Sequence, residues 1–315
     1  MRVVYLLAGL IAVLLLAACG DDDDGGNATP TEGGATSAAA TQPTEFPLTI
    51  ADDNGIEFTF DEAPGQIVAL APSFVEVLFA VGAGDSIVAA DENTDYPAEA
   101  AVIPKLSGYE PSVEAIAAYE PDLVLIFFDP GGLQDSLVNL DIATMYLETP
   151  ATLDGVYDQI ETLGEITGRS DEAAEIVSGM QDDIAAVLAE LDDVDAGLSV
   201  FHELDPMLFT VGPGSFVDEI YTLLKTTNVA ESTGEPYPQM STEAVIAAAP
   251  EVVLLADSDF GESLATVAAR PGWDQVPAVL NERVYPVPAS LLSGPTPRLV
   301  DDIQLLAALL YPEQF

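Results

Sequence analysis

Three kinds of residue are nearly missing from this chain. Of 315 residues, one is cysteine (Cys19) and one is histidine (His202); seven are Lys or Arg against 54 acidic residues, a formal net charge of −47. A single cysteine cannot close a disulfide within the chain. A single histidine leaves little for His-based acid–base chemistry and excludes the histidine clusters that hold bare zinc or manganese. So few cations exclude nucleic acid as a partner, because neutralising phosphates needs a basic patch. They also disfavour electrostatic attachment to anionic lipid. Past Cys19 no hydrophobic segment approaches the roughly 20 residues of a membrane span. Gly82-Ala83-Gly84 and Gly212-Pro213-Gly214 both lack the third glycine of a dinucleotide fingerprint. A carboxylate pair working as a hydrolase couple stays open, but no spacing among the acids singles one out.

What is present begins at the N-terminus. Arg2 precedes an apolar stretch from Val3 to Leu16, followed by Leu16-Ala17-Ala18-Cys19. The stretch is too short to span a bilayer and has the form of a signal-peptide core. Small residues before the sole cysteine resemble the bacterial lipobox, which makes Cys19 the expected site of lipid modification and removes it as a nucleophile. Residues 1–19 therefore read as a lipoprotein signal peptide. Residues 20–45, with the Asp21–Asp24 run and then Gly, Ala, Thr, Ser and Pro, cannot bury enough surface to offset chain entropy and read as a disordered tether. A flexible tether of that length spans about 25–30 Å.

The rest, about 270 residues, repeats itself. Phe74-Val75-Glu76 and Asp95-Tyr96-Pro97 have counterparts in Phe216-Val217-Asp218 and Pro236-Tyr237-Pro238. Ser112-Val113-Glu114 leads through Pro121-Asp122 into an apolar run, as Ser241-Thr242-Glu243 leads through Pro250-Glu251 into another. Ser112 and Ser241 suit helix N-caps, each with a Glu in the first turn. Proline ends each helix, and Leu123–Phe127 and Val252–Leu255 read as buried parallel strands. Each half is a β-α alternation. Between them an amphipathic region from Leu153 to about Leu191 breaks at Gly168-Arg169-Ser170, where Ser170 is positioned to cap a second helix roughly 30 Å long. The spacing thus predicts lobes over 46–168 and 192–315, joined by a helix over 169–191.

An ordered series of motifs carries a family resemblance. Val68-Ala69-Leu70-Ala71-Pro72-Ser73 with Glu76 through Asp85, Asp95-Tyr96-Pro97, Leu163-Gly164-Glu165, Arg270-Pro271-Gly272-Trp273 and Pro295-Thr296-Pro297-Arg298 resemble the iron–siderophore and cobalamin periplasmic binding proteins. The likeness runs from about Gly65 to Pro312. It implies an α/β protein of two Rossmann-like lobes with mostly parallel sheets, joined by one rigid helix, with a ligand cleft between the lobes. It also implies a non-enzymatic, cofactor-free receptor outside the cell membrane, anchored through Cys19. Such a receptor would be a monomer that hands an iron chelate or corrinoid to an ABC permease and its ATPase. A ligand-sensing lipoprotein of the same fold is the alternative. Glu114 and Glu243 match positions where each lobe engages the transporter; the other reading is that they only satisfy their helix N-termini.

Ligands of open α/β sheets bind beyond the carboxyl ends of the strands. The loops there carry Ser73, Asn93, Tyr109, Phe127, Phe128, His202, Phe209, Tyr237, Ser290 and Arg298. Tyr109 and Tyr237 stand at positions where the family often sets aromatic rings against its ligand. At most one of Phe127 and Phe128 faces the cleft, since neighbours on a strand point opposite ways. His202 is expected just after the strand Leu198–Phe201, either as a ligand to metal or oxygen or as a structural hydrogen-bonding residue. Arg298 is equally a ligand contact or the partner of a carboxylate. Only Lys105 and Arg298 fall near the cleft as cations, which favours a neutral or cationic chelate over a highly charged anion.

Overall fold

The computed structural model describes residues 44–195, 197–292 and 294–315. Residues 1–19, read as a signal peptide with Cys19, and nearly all of the segment read as a tether lie outside them. The first element is a hairpin of β1 (Leu48–Ala51) and β2 (Glu57–Phe60), paired antiparallel with Leu48 opposite Phe60. Asp52 organises its turn. The carboxylate accepts from the backbone N–H of Asn54 and Ile56 and, from far along the chain, of Tyr146, at 2.8–3.1 Å, and from the side-chain amide of Gln134. These donors offset the cost of burying the charge.

A five-stranded parallel sheet follows. Its chain order is β3 (Ile67–Ala69), α1 (Pro72–Ala80), β4 (Ile87–Asp91), β5 (Lys105–Leu106), α2 (Val113–Ala117), β6 (Leu123–Ile126), α3 (Leu133–Val138) and β7 (Thr144–Tyr146). The strands lie in the order β5-β4-β3-β6-β7. Two helices come next, α4 (Leu153–Ile166) and α5 (Ser170–Glu190). The second sheet is built from β8 (Leu198–Glu203), α6 (Phe216–Leu223), β9 (Thr226–Asn228), α7 (Thr242–Ala248), β10 (Val252–Leu255), α8 (Leu264–Ala268), α9 (Pro277–Leu280) and β11 (Val284–Pro286). Its order is β11-β10-β8-β9, again parallel, and α10 (Leu299–Leu310) closes the chain.

The two sheets have one topology. The order β4-β3-β6-β7 becomes β9-β8-β10-β11 when each strand is replaced by its counterpart, and β5 is the extra edge strand. The repeated caps are formed: Ser112 Oγ accepts from Ala115 N–H at 3.3 Å, and Ser241 Oγ from Ala244 N–H at 3.1 Å. Continuous apolar strands follow from burial on both faces. In β3 and β6, Ile67, Ala69, Leu123 and Leu125 face one core, while Val68, Val124 and Ile126 face another. In β8 and β10, Val200, Val252 and Leu254 join the first of these cores, and Phe201, Val253 and Leu255 pack around Trp273. One face of each sheet thus contributes to a single core with α1, α4, α5, α6 and α10.

In α5 the buried residues Ala173, Val177, Met180, Ile184 and Val187 recur every three or four positions, a one-sided apolar stripe. Two expectations are corrected here. Ser170 is the first residue of α5 and not its cap; its hydroxyl is bonded to that of Thr44, and Arg169 stands at the N-cap without a side-chain capping bond. The antiparallel β1–β2 hairpin was not foreseen, although Leu48/Ile50 and Phe58/Phe60 alternate about Asn54-Gly55, a hairpin signal.

The joint between α4 and α5 is tight. A Cβ at Gly164 would lie 2.4 Å from the Ala173 Cβ and 3.0 Å from the Arg169 carbonyl oxygen. Gly164→Ala is expected to lower stability by about 1–3 kcal/mol through overpacking, against alanine's better helix propensity. Urea unfolding measures this, and Ala173→Gly in the same chain should restore part of the loss. An unchanged midpoint for Gly164→Ala would show that the two helices separate without cost.

Candidate ligand cleft

The strand order reverses between β3 and β6 in the first sheet and between β8 and β10 in the second. Crevices open beyond the carboxyl ends of strands at such points. Beyond β3 the chain runs Leu70-Ala71-Pro72-Ser73, with Pro72 in the first turn of α1. Beyond β4, buried Asp91 gathers the loop: it accepts from Asn93 N–H at 2.8 Å, from the Asn93 side chain at 3.1 Å and from Gly108 N–H at 2.9 Å. Glycine is required at 108, since a Cβ would lie 2.5 Å from the Leu70 carbonyl oxygen and 2.6 Å from Asp91 Oδ2. That clamp holds the next residue, Tyr109, 60% exposed, edge-on to Phe127 at 5.4 Å and 6.1 Å from Phe128.

These loops wall a chamber of about 440 Å³, which brings together Ser73, Asn93, Tyr109, Phe127, Ser290 and Arg298. A second chamber, of about 520 Å³, is lined by His202 and Tyr237. Thr149, Gly294 and Pro295 line both, so the two adjoin. Eight of the ten residues expected in these loops therefore lie along one cleft. Phe209 does not: the backbone beside it pairs with Glu203 and Gln239, and Phe209 lines neither chamber. Phe127 lines the cleft while Phe128 supports Tyr109 from outside the lining. Lys105 is also absent from the lining, its ammonium bonded to the carbonyls of Thr94 and Ala100 at 3.0 and 3.1 Å.

Arg298 has a carboxylate partner. Its Nε donates to Glu76 Oε2 at 2.8 Å and its Nη2 to Oε1 at 2.7 Å, and its guanidinium lies 4.4 Å from the centre of the Tyr96 ring. Glu76 is buried, and this planar, two-bonded pairing is what lets it stay so. Glu76 was visible in the opening motif, but its partner stands 222 residues away, a distance that no local pattern encodes.

His202 is displaced from its expected position. Strand β8 continues two residues past Phe201, because β10 pairs Leu254 with His202 and Leu255 with Glu203. His202 is thus a strand residue, 2% exposed, at the wall of the second chamber. Its Nδ1 lies 2.7 Å from the hydroxyl of buried Tyr221, and its Nε2 meets no hydrogen-bonding partner. Burial lowers its pKa to about 4, so the ring is neutral at ordinary pH. In the first chamber Gln159, missed in the sequence, donates to the Glu148 carbonyl at 3.1 Å and leaves its oxygen unpaired.

Glu114 and Glu243 sit in the first turns of α2 and α7, the equivalent helices before β6 and β10, and both are exposed. Glu114 also accepts from the Ser112 hydroxyl at 3.2 Å.

Comparison with known proteins places the chain among others. Residues 67–291 match the family model described as periplasmic binding protein. An uncharacterised ABC transporter substrate-binding lipoprotein of Bacillus subtilis is 31% identical over 286 residues, covering 88% of this chain and 90% of the relative. A cobalamin-binding protein of Halobacterium salinarum is 28% identical, over 87% of this chain and 76% of its own length. The crystal structure of an ABC-type Fe3+-hydroxamate transport system from Saccharomonospora viridis superimposes with a TM-score of 0.67 at 26% identity, covering 85% of this chain and 100% of the other.

Away from the cleft lining, the ends of β8 and β10 carry an acidic cluster. Arg270 binds Glu203 through two bonds of 2.5 and 2.6 Å and Glu262 at 2.7 Å, and stacks 4.8 Å from the centre of the Trp273 ring. Asp257 is fully buried with no hydrogen-bond partner for either oxygen among the described residues, and burial, then the charge of Glu203, pushes its pKa up to about 7. The folded protein therefore holds this proton where the unfolded chain, titrating near 3.8, has lost it. The linked stability is fully present below pH 4 and is lost as pH rises through about 7. Asp257→Asn should raise the melting temperature at pH 8 and change it little at pH 4, as scanning calorimetry at the two values would read. Equal effects at both would show that Asp257 is ionised throughout.

Proposed function

The chain belongs to the periplasmic binding protein family as the extracytoplasmic substrate-binding component of an ABC importer, and we propose that its cargo is a neutral or cationic metal chelate, a ferric hydroxamate or a corrinoid. The family is one of solute receptors and not of enzymes. The observation that carries the proposal is the fate of the cations. Each of the six Lys and Arg among the described residues is bonded to a carboxylate or a backbone carbonyl. Arg298, the one that lines the cleft, is neutralised by Glu76. Asp91, Asp95 and Asp302 line the same chamber, so an anionic chelate would find no free cation and an opposing field.

The aromatic group of Tyr109 and Phe127, with Tyr237 across the adjoining chamber, suits a large chelate: rigid rings bury much area with little side-chain entropy to lose. The similarity to a cobalamin-binding protein and to a Fe3+-hydroxamate transport system supports the same two cargo classes. Isothermal titration of the detergent-solubilised full-length protein tests this. Cobalamin or a ferric hydroxamate should bind at micromolar concentration or tighter. A ferric catecholate and haem should bind at least about tenfold more weakly. A catecholate bound as tightly as the neutral chelates would refute the charge argument.

Two further parts of the proposal concern the membrane. Cys19 is the lipid-bearing residue, the tether lifts the receptor from the bilayer, and Glu114 and Glu243 engage the permease, one from each lobe. The topological equivalence of α2 and α7 supports that pairing, because a two-lobed receptor presents equivalent helix starts to a two-subunit partner. Uptake of the radiolabelled chelate by cells carrying Glu114→Arg with Glu243→Arg should fall to background while chelate binding persists. Cys19→Ala should also lose uptake, with the protein shed into the medium. Full uptake by either variant would sink the corresponding role.

A further inference from the structure

The second chamber has a chemistry that the proposed cargo does not by itself explain. Its walls are mostly apolar, among them Val156, Val211, Val217 and Leu291. Ser215 is spent internally, donating to the Gly212 carbonyl at 2.7 Å and accepting from Asp218 N–H at 3.2 Å. His202 Nε2 is the buried polar side-chain atom of this wall that has no partner among the described residues.

The hydrogen on that atom can be placed by accounting. Tyr221 is 1% exposed, and burial raises its pKa, so the phenol keeps its proton. The contact the structure gives its hydroxyl is the 2.7 Å bond to His202 Nδ1. A buried hydroxyl proton needs an acceptor. If Nδ1 carried the ring proton, it would donate to the phenol oxygen and leave the phenol's own proton with none. Tyr221 therefore donates to Nδ1, and the neutral ring carries its hydrogen on Nε2.

An imidazole in this state has one N–H donor, and no lone pair, for a ligand that reaches it from the chamber. It cannot ligate a metal there without changing tautomer and losing Tyr221. It is uncharged, and Arg298 is already bound to Glu76, so a carboxylate in this chamber would be buried with no counter-charge. We propose that His202, held by Tyr221, is a specificity-determining donor that binds an uncharged amide carbonyl oxygen on the periphery of the chelate, and not its metal. Tyr221 is the positioning residue. This rests on the chelate reading above and narrows it: the cargo places a carbonyl-bearing arm in the second chamber.

His202 is the sole histidine of the chain, so a long-range proton–nitrogen correlation spectrum of histidine-labelled full-length protein in detergent, made with a histidine-free tag, reports on this one ring. Two diamagnetic probes serve: cyanocobalamin and a gallium(III) trihydroxamate. The wild type should show the Nε2–H tautomer, and saturation with a probe that binds should shift Nε2 and its proton. Tyr221→Phe should give mixed tautomers and weaken binding about tenfold. His202→Gln, which keeps an N–H donor, should bind more tightly than His202→Leu.

An Nδ1–H tautomer in the wild type overturns the proposal, as does equal affinity of His202→Leu and wild type. Calorimetric binding with unmoved ring nitrogens overturns the carbonyl contact alone. No binding of either probe overturns the chelate reading, and the carbonyl contact with it, even where the tautomer is Nε2–H.

Discussion

A wholly parallel sheet has to be buried on both faces, and this chain carries two of them. With roughly 270 residues it does not build two separate double-sided sandwiches. One face of each sheet looks into a shared core with α1, α4, α5, α6 and α10, while the other faces have cores of their own around Ile116 and around Trp273. Most of the architecture follows from that economy. The strands read as unbroken apolar runs because neither face meets water. The connection through α4 and α5 is rigid because its apolar stripe is part of the core that both sheets need. At about 25 cal/mol per Å² of apolar surface, separating helices packed this closely is costly, so α5 works as a strut between lobes and not as a loose hinge.

The same constraint positions the cleft. Parallel strands send all their carboxyl ends to one edge of a sheet, and the loops there are free of ladder bonds. Functional side chains collect at that edge because the rest of each strand is committed to packing. In the first sheet, Asp91 and Gly108 turn this freedom into fixed geometry by clamping the segment that presents Tyr109. In the second, the strand continues to Glu203, so His202 is part of the ladder and its ring is held by Tyr221 from α6. The two halves share a topology and differ in chemistry: one presents aromatic rings at an open rim, the other a buried histidine in a mostly apolar wall.

How far the sequence discloses this depends on the range of the interactions. The repeated Ser-x-Glu starts, the Pro-acid steps into apolar runs and the break at Gly168 are local, and they disclose the duplicated α/β plan and the long connecting helix. Eight of the ten side chains named from the sequence line the cleft, and Phe128 and Phe209 do not. What is not legible depends on partners distant in the chain. Where β8 ends is decided by its pairing with β10, some 50 residues on, so His202 was expected in a loop and lies in a strand. Ser170 has the residue type of a cap, yet a tertiary bond to Thr44 takes its hydroxyl. Phe209 has the aromatic character of a ligand contact, but bridges on either side of its segment set it outside the lining. Arg298 finds Glu76 across 222 residues, and Asp257 owes its raised pKa to neighbours brought together only by the sheet.

Charge joins fold and function. With 54 acids and seven bases, the chain places Arg169 in an exposed ion pair with Glu172 and commits its other described cations to the interior contacts of the fold. The fold uses them as structural ties: Lys105 and Lys225 on loop carbonyls, Arg283 on the last turn of α10, Arg270 and Arg298 on buried carboxylates. Removing Arg270 or Arg298 would leave a buried charge unpaired, the situation that costs most among ion-pair changes. Among the described residues the cleft therefore holds no unpaired cation, which is why the proposed selectivity rests on ring faces, shape and neutral donors. On the proposed reading, such a receptor would discriminate against anions by the field of the whole molecule and choose among neutral or cationic ligands by where their carbonyls fall. The scarcity of bases thus shapes the fold first and the choice of ligand as its consequence.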